Sequence, residues 1–198
     1  MSIKAVIFDM DGTIVDVDYD WPQIKRELKT EGKSILRFLN DLEEPERSKK
    51  WMLLEKFEEK ATTKARLKEG IKEFLDFLAQ KKVKRALVTN NSYKNVSYLL
   101  QKFNLQFECI ISRESGLWKP SGLPFMAVLE RLALKKEEAC VVGDSHFDIE
   151  AAQEAGIPNV FILNKDKKKF ASYSVDVLPS VRELRKRIEH LLSTSGKI

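Results

Sequence analysis

The sequence predicts an α/β protein: a parallel sheet covered by helices on both faces, three layers in all, with a small all-helical insertion after the first strand. Three observations carry that prediction. Short apolar or β-branched runs recur at residues 3–8, 85–89, 107–111, 139–142 and 159–163. Segments of helical period separate most of them, and continuous apolar strands alternating with amphipathic helices are the pattern of a sheet buried on both sides. Between the first two strands the alternation fails, and residues 16–68 read as helix alone.

Each element has its own signal. The first strand stops at Asp9. The insertion holds three Lys- and Glu-rich helical stretches, 21–30, 34–42 and 45–62, with Pro22 and Pro45 where a first helical turn accepts proline. Ile71, Phe74, Leu75 and Leu78 then follow the i, i+3, i+4, i+7 spacing, as do Val96, Leu99, Leu100 and Phe103, and Phe125, Val128, Leu129 and Leu132. A helix over 146–155 should end at Gly156, with Pro158 just beyond. After a run at 175–177, a last helix over 179–192 finishes the chain, and residues 193–198 are expected to fray. The domain reading is therefore a core of 1–15 and 69–198 and a helical insertion of 16–68.

Composition narrows the class. The 198 residues amount to about one and a third domains at ~150 residues each, which suits one domain plus an insertion. With 43% hydrophobic and 33% charged residues the chain is not of the disordered kind. No apolar run approaches the ~20 residues a membrane span needs, and residues 1–9 lack the features of a secretory signal, so a cytosolic protein is expected. Cys109 and Cys140 lie in apolar runs at no metal or redox spacing and read as buried reduced thiols. Lys plus Arg is 35 and Asp plus Glu 30, so 35 − 30 = +5, but the basic clusters are scattered and read as solvated surface, not a nucleic-acid groove. Whether the chain is a monomer or a dimer stays open.

The chemistry lies at strand ends. The first strand runs into Asp9-Met10-Asp11-Gly12-Thr13, the second into Thr89-Asn90-Asn91, the fourth into Gly143-Asp144-Ser145-His146-Phe147-Asp148, and Lys119-Pro120 falls between the third and fourth. Ligands in open α/β sheets bind outside the carboxyl ends of the strands, so these clusters should converge on one crevice. Asp9, Asp11, Asp144 and Asp148 cannot all ionise there without a counter-charge. A hard divalent cation such as Mg²⁺, which accepts carboxylates and a substrate phosphate, fits them. Lys119 adds a second positive charge, and Thr89 offers a hydroxyl before a helix whose first amides are free for an anion. A metal, a lysine and amide donors around space for a phosphate are the parts phosphoryl transfer requires.

These four ordered motifs resemble those of the haloacid dehalogenase superfamily, phosphoglycolate phosphatase-like, over most of the chain outside 16–68, and the insertion resembles the small helical cap some members carry. The resemblance implies a Rossmann-like core and a Mg²⁺-dependent phosphatase acting on a small phosphorylated metabolite. In that scheme Asp9 is the nucleophile that carries an aspartyl-phosphate, and Asp11 is the acid and then the base, its carbonyl binding the metal. Thr89, Asn90 and Lys119 contact the substrate phosphate, and Asp144 and Asp148 complete the metal set of Asp9, Asp11, Asp144 and Asp148. An acid at position 11 favours phosphate esters over dehalogenation, because the leaving oxygen of an ester needs a proton. A phosphomutase or phosphotransferase on the same core is the alternative, and a non-catalytic basic binding protein is the alternative of another class.

Plainer readings stand beside these. Ser145 to Asp148 fits a capping box, so Asp148 is expected to serve helix and site together. His146 is expected at the rim or in capping. Trp118 can line the crevice or simply pack. Asp16, Asp18 and Asp20 read as a polar hinge, and Trp21, Trp51 and Phe57 as packing within the insertion. Arg113 and Glu114 are not assigned to the site.

Overall fold

The computed structural model describes residues 2–30 and 34–194. The expected fraying beyond residue 194 lies outside the described residues. Six strands form one sheet: β1 (Ala5–Phe8), β4 (Lys84–Val88), β5 (Cys109–Ile111), β6 (Ala139–Gly143), β7 (Asn159–Leu163) and β8 (Asp176–Leu178). Their order is β5-β4-β1-β6-β7-β8, and every pairing is parallel. The predicted parallel α/β core is what the chain adopts.

Helices α4 (Ile71–Gln80), α5 (Tyr93–Phe103), α6 (Leu123–Leu132) and α7 (His146–Glu154) lie in the connections between strands, and α8 (Val181–Thr194) follows β8. The sheet is buried on both faces. Ala5, Ile7, Ala86, Val88 and Val141 meet Phe125 and Val128 of α6 and Ile149 and Ala152 of α7 in one apolar cluster. From the other face Phe8 packs edge-on against Phe74 of α4, ring centroids 6.0 Å apart. Period-2 side-chain alternation therefore sends neighbouring β1 residues to opposite layers.

β1 and β6 are central, and Asp9 extends β1 by donating its N–H to Val142 O at 2.9 Å. The chain then turns tightly. Met10 O accepts from the N–H groups of Ile14 (2.8 Å) and Val15 (3.1 Å), and Gly12 N–H donates to Val15 O at 2.7 Å. Gly12 has φ +81°, and a Cβ there would also run into the Asp144 carboxylate, so only glycine fits.

The chain divides into two compact units, 1–16 with 67–198 and 17–66. The second is helical: α1 (Trp21–Leu28), α2 (Ile35–Asn40) and α3 (Glu46–Thr63). Its core is Ile24, Leu28, Leu39 and Leu54, against which Tyr19, Trp51 and Phe57 pack. Asp20 caps α1 through the N–H of Gln23 (2.9 Å). Trp21 is 43% exposed and leans on Tyr19. The sequence shows no strand in 16–68, whereas β2 (Val15–Asp16) and β3 (Arg66–Leu67) pair in a two-stranded sheet. Strands that short have no periodicity to read. Among the described residues no helix is long and apolar enough to cross a membrane.

Candidate active site

The strand ends bring Asp9, Lys119, Asp144 and Asp148 together. Lys119 Nζ donates to Asp9 Oδ1 and to Asp148 Oδ1, 2.6 Å each. Asp148 is fully buried and Lys119 only 6% exposed. Asp148 Oδ2 accepts from Ser145 Oγ (2.7 Å) and from the N–H groups of Ser145 (3.1 Å) and Asp144 (3.2 Å). One carboxylate thus closes the capping box of α7 and anchors the lysine, the double service expected of it. Gly143 makes the fit possible, since a Cβ there would collide with the Asp148 side chain.

Carboxylate oxygens of Asp9, Asp144 and Asp148 lie within 4.8 Å of one another. Burial pushes the Asp9 carboxyl well above the usual carboxylate range; Lys119 opposes this, while Asp148, Asp144 and Asp11 add to it. Asp144 is pushed up to about 7, by burial first and by Asp148 next. Burial alone would lower Lys119, but Asp148 and Asp9 outweigh it and hold its ammonium above the usual lysine range. Four carboxylates against one ammonium leave −4 + 1 = −3 when all are ionised. A hard divalent cation with oxygen ligands fits this donor set and reduces the imbalance to −1.

Thr89 continues β4 through its N–H to Ile111 O (3.0 Å), and its hydroxyl oxygen accepts the Asn91 N–H at 3.1 Å. The hydroxyl proton is left to donate to an anion. Asp11 Oδ2 accepts from Asn91 Nδ2 at 2.9 Å. The Asn90 side chain clasps a peptide unit: its Oδ1 accepts the Lys119 N–H (3.0 Å) and its Nδ2 donates to Lys119 O (2.9 Å), which ties the end of β4 to the lysine loop.

Residues outside the sequence assignment brace the same loops. Glu114 accepts the Tyr93 N–H at the start of α5 (2.9 and 3.0 Å) and the Ser112 hydroxyl (2.7 Å). Arg113 Nε donates to Asn90 O (2.9 Å), and Trp118 Nε1 donates to Arg113 O (2.8 Å), which gives that tryptophan a bracing role. Asn91 and Asn95 are buried polar residues beside Asp11. Their signal in the sequence is the run Asn90-Asn91-Ser92 at a strand end with Asn95 one turn on. His146 is exposed, its ring tilted against Phe147. Asp16 is exposed and pairs with Lys68 Nζ at 2.6 Å.

The family described as haloacid dehalogenase-like hydrolase matches residues 17–162. An uncharacterised hydrolase of Saccharomyces cerevisiae is 27% identical over 197 residues, spanning 92% of this chain and 90% of the yeast protein. A phosphorylated carbohydrates phosphatase of Thermotoga maritima is 29% identical over 182 residues, 80% of this chain and 84% of that one. Among solved structures, a haloacid dehalogenase-like hydrolase of Bacteroides fragilis superposes with a TM-score of 0.77 at 17% identity, covering 92% of this chain and 100% of that one. A predicted phosphoglycolate phosphatase of Haemophilus somnus gives 0.71 at 21% identity, covering 93% and 97%. At such identities the structures speak for the fold alone.

Proposed function

The chain belongs to the haloacid dehalogenase-like hydrolases, and from that premise we propose that it is a Mg²⁺-dependent phosphomonoester hydrolase working through an aspartyl-phosphate on Asp9. The observation that carries this reading is the buried Asp9–Lys119–Asp148 network with Asp144 beside it. The phosphatase name of the Thermotoga maritima relative supports it.

Asp9, Asp144 and Asp148, with the backbone carbonyl of Asp11, are the groups that would hold the cation. When bound, Mg²⁺ supplies charge neutralisation for the carboxylates and the substrate phosphate. Lys119 spends two of its N–H donors on Asp9 and Asp148 and has a third for a phosphoryl oxygen. The Thr89 hydroxyl donates to another. An Asp9 carboxylate oxygen bonds to phosphorus as the ester P–O bond breaks. Asp11 gives its proton to the departing oxygen, then takes one from the water that hydrolyses the acyl phosphate. The substrate is a small phosphorylated metabolite. Residues 16–68 are assigned as a cap that selects it, and residues 1–15 and 69–198 as the catalytic core. The cytosol is the proposed compartment, in keeping with two free, buried thiols.

The test is hydrolysis of an aryl phosphate and a panel of small phosphate esters with Mg²⁺ and with a chelator. Turnover that stops on chelation and returns with Mg²⁺ is expected. Turnover indifferent to chelation, or none on any ester, would overturn the proposal.

A further inference from the structure

We propose that Asn91 is a positioning residue for Asp11, locked by Asn95 and Ser92 so that the Asp11 carboxyl group keeps one orientation; the inference rests on the hydrolase reading above. The geometry begins with the Asn91 amide, which is 4% exposed. Its Oδ1 accepts the Ser92 backbone N–H at 2.8 Å and Asn95 Nδ2 at 2.9 Å. A backbone N–H can only donate, so the amide cannot invert without setting donor against donor. Its Nδ2 is therefore the group that faces Asp11 Oδ2 at 2.9 Å.

The lock is itself anchored. Ser92 caps α5, its hydroxyl accepting the Asn95 N–H at 3.3 Å, and Ser92 and Asn95 are 5% and 3% exposed. The amide chain thus starts on the first turn of α5 and ends on the carboxyl group of Asp11. A buried amide bonded at both its oxygen and its nitrogen holds one arrangement, because inverting it leaves polar groups unpaired.

The consequence for Asp11 is chemical. A donor fixed on Oδ2 holds the carboxyl group in one plane and one direction. In the first half-reaction an Asp9 oxygen forms the bond to phosphorus, the ester P–O bond breaks, and the leaving oxygen keeps that electron pair and takes a proton from Asp11. The products are the aspartyl-phosphate, the neutral alcohol and the Asp11 carboxylate. Asn91 touches no reacting atom; it aims the group that does.

A residue that aims a general acid matters most where the leaving group needs a proton. The test compares two esters of similar size, phenyl phosphate and 4-nitrophenyl phosphate, whose phenolate leaves without help. For Asn91→Ala in the full chain with Mg²⁺, kcat should fall about tenfold or more on phenyl phosphate and no more than about threefold on 4-nitrophenyl phosphate, with KM little changed, since positioned proton transfer is worth 10²–10⁴ in rate. Asn95→Ala, which removes one lock and keeps the Asn91 amide, should show the same bias to a smaller degree and carries the test if Asn91→Ala does not fold. Equal losses on both esters, or none, in folded variants would overturn the positioning role. No turnover of either ester by the unaltered chain would instead overturn the hydrolase reading.

Discussion

Two groups of polar side chains meet at the carboxyl ends of β1, β4 and β6, and they are satisfied in opposite ways. Asp9, Lys119 and Asp148 hold one another by charge. Asp11, Asn91 and Asn95 are joined by amide hydrogen bonds. The first group carries a desolvation cost that leaves Asp9 reluctant to ionise and Asp144, beside it, titrating up to about 7. The amides of the second bind no proton of their own. The difference teaches that the ionic half is arranged for a ligand that repairs its charge, while the amide half is arranged to keep one geometry.

Removing one partner from each half separates them. Lys119→Met should cost about 3 kcal/mol at pH 8 in chelator, because taking the cation from a buried ion pair strands the carboxylates. Asn91→Ala should cost about 1 kcal/mol, the range for a neutral hydrogen bond. Denaturant unfolding of both variants beside the unaltered chain measures the gap. Equal costs would break the comparison. The loss in Lys119→Met should also shrink at acid pH, where Asp9, whose carboxyl burial pushes upward, takes up a proton.

A subtler effect is expected on proton linkage. A carboxyl group whose folded pKa lies above its unfolded value, about 3.9 for aspartate, contributes stability that is full below that value and lost as pH rises through the folded pKa. For Asp144 the window runs from about 4 to about 7, and Asp9 acts in the same direction. The metal-free protein should therefore lose thermal stability across this range, and the stabilisation given by Mg²⁺ should grow with pH, because a cation displaces those protons. Melting curves at pH 5, 6, 7 and 8 with Mg²⁺ and with chelator read it directly. A Mg²⁺ effect independent of pH would contradict the account.

What was legible in the sequence follows the same division. Carboxylates and a lysine at strand ends announce themselves, because such groups are rarely buried without a partner. Hence Asp9, Lys119, Asp144 and Asp148 were readable, as was the double service of Asp148 from its place in a capping box. Amides carry no such signal. Asn90 reads as a phosphate ligand from its place after Thr89, and nothing in that place announces its side-chain pairing with the Lys119 peptide or the contact of Asn91 with Asp11. Where the Asn90 amide turns depends on a loop 29 residues away that no local pattern encodes. In the fold, apolar runs mark the sheet and period-3.6 segments its helices, but the ribbon of β2 and β3 is too short to register.

The central claim is that Asp9 takes the phosphoryl group. The direct measurement is an acid quench of the Mg²⁺-loaded protein during turnover of an ester labelled at phosphorus, followed by peptide mapping. The account predicts label on the peptide that contains Asp9, sensitive to hydroxylamine as an acyl phosphate is, and none in Asp9→Asn. Label on another residue, or steady turnover by Asp9→Asn, would contradict it.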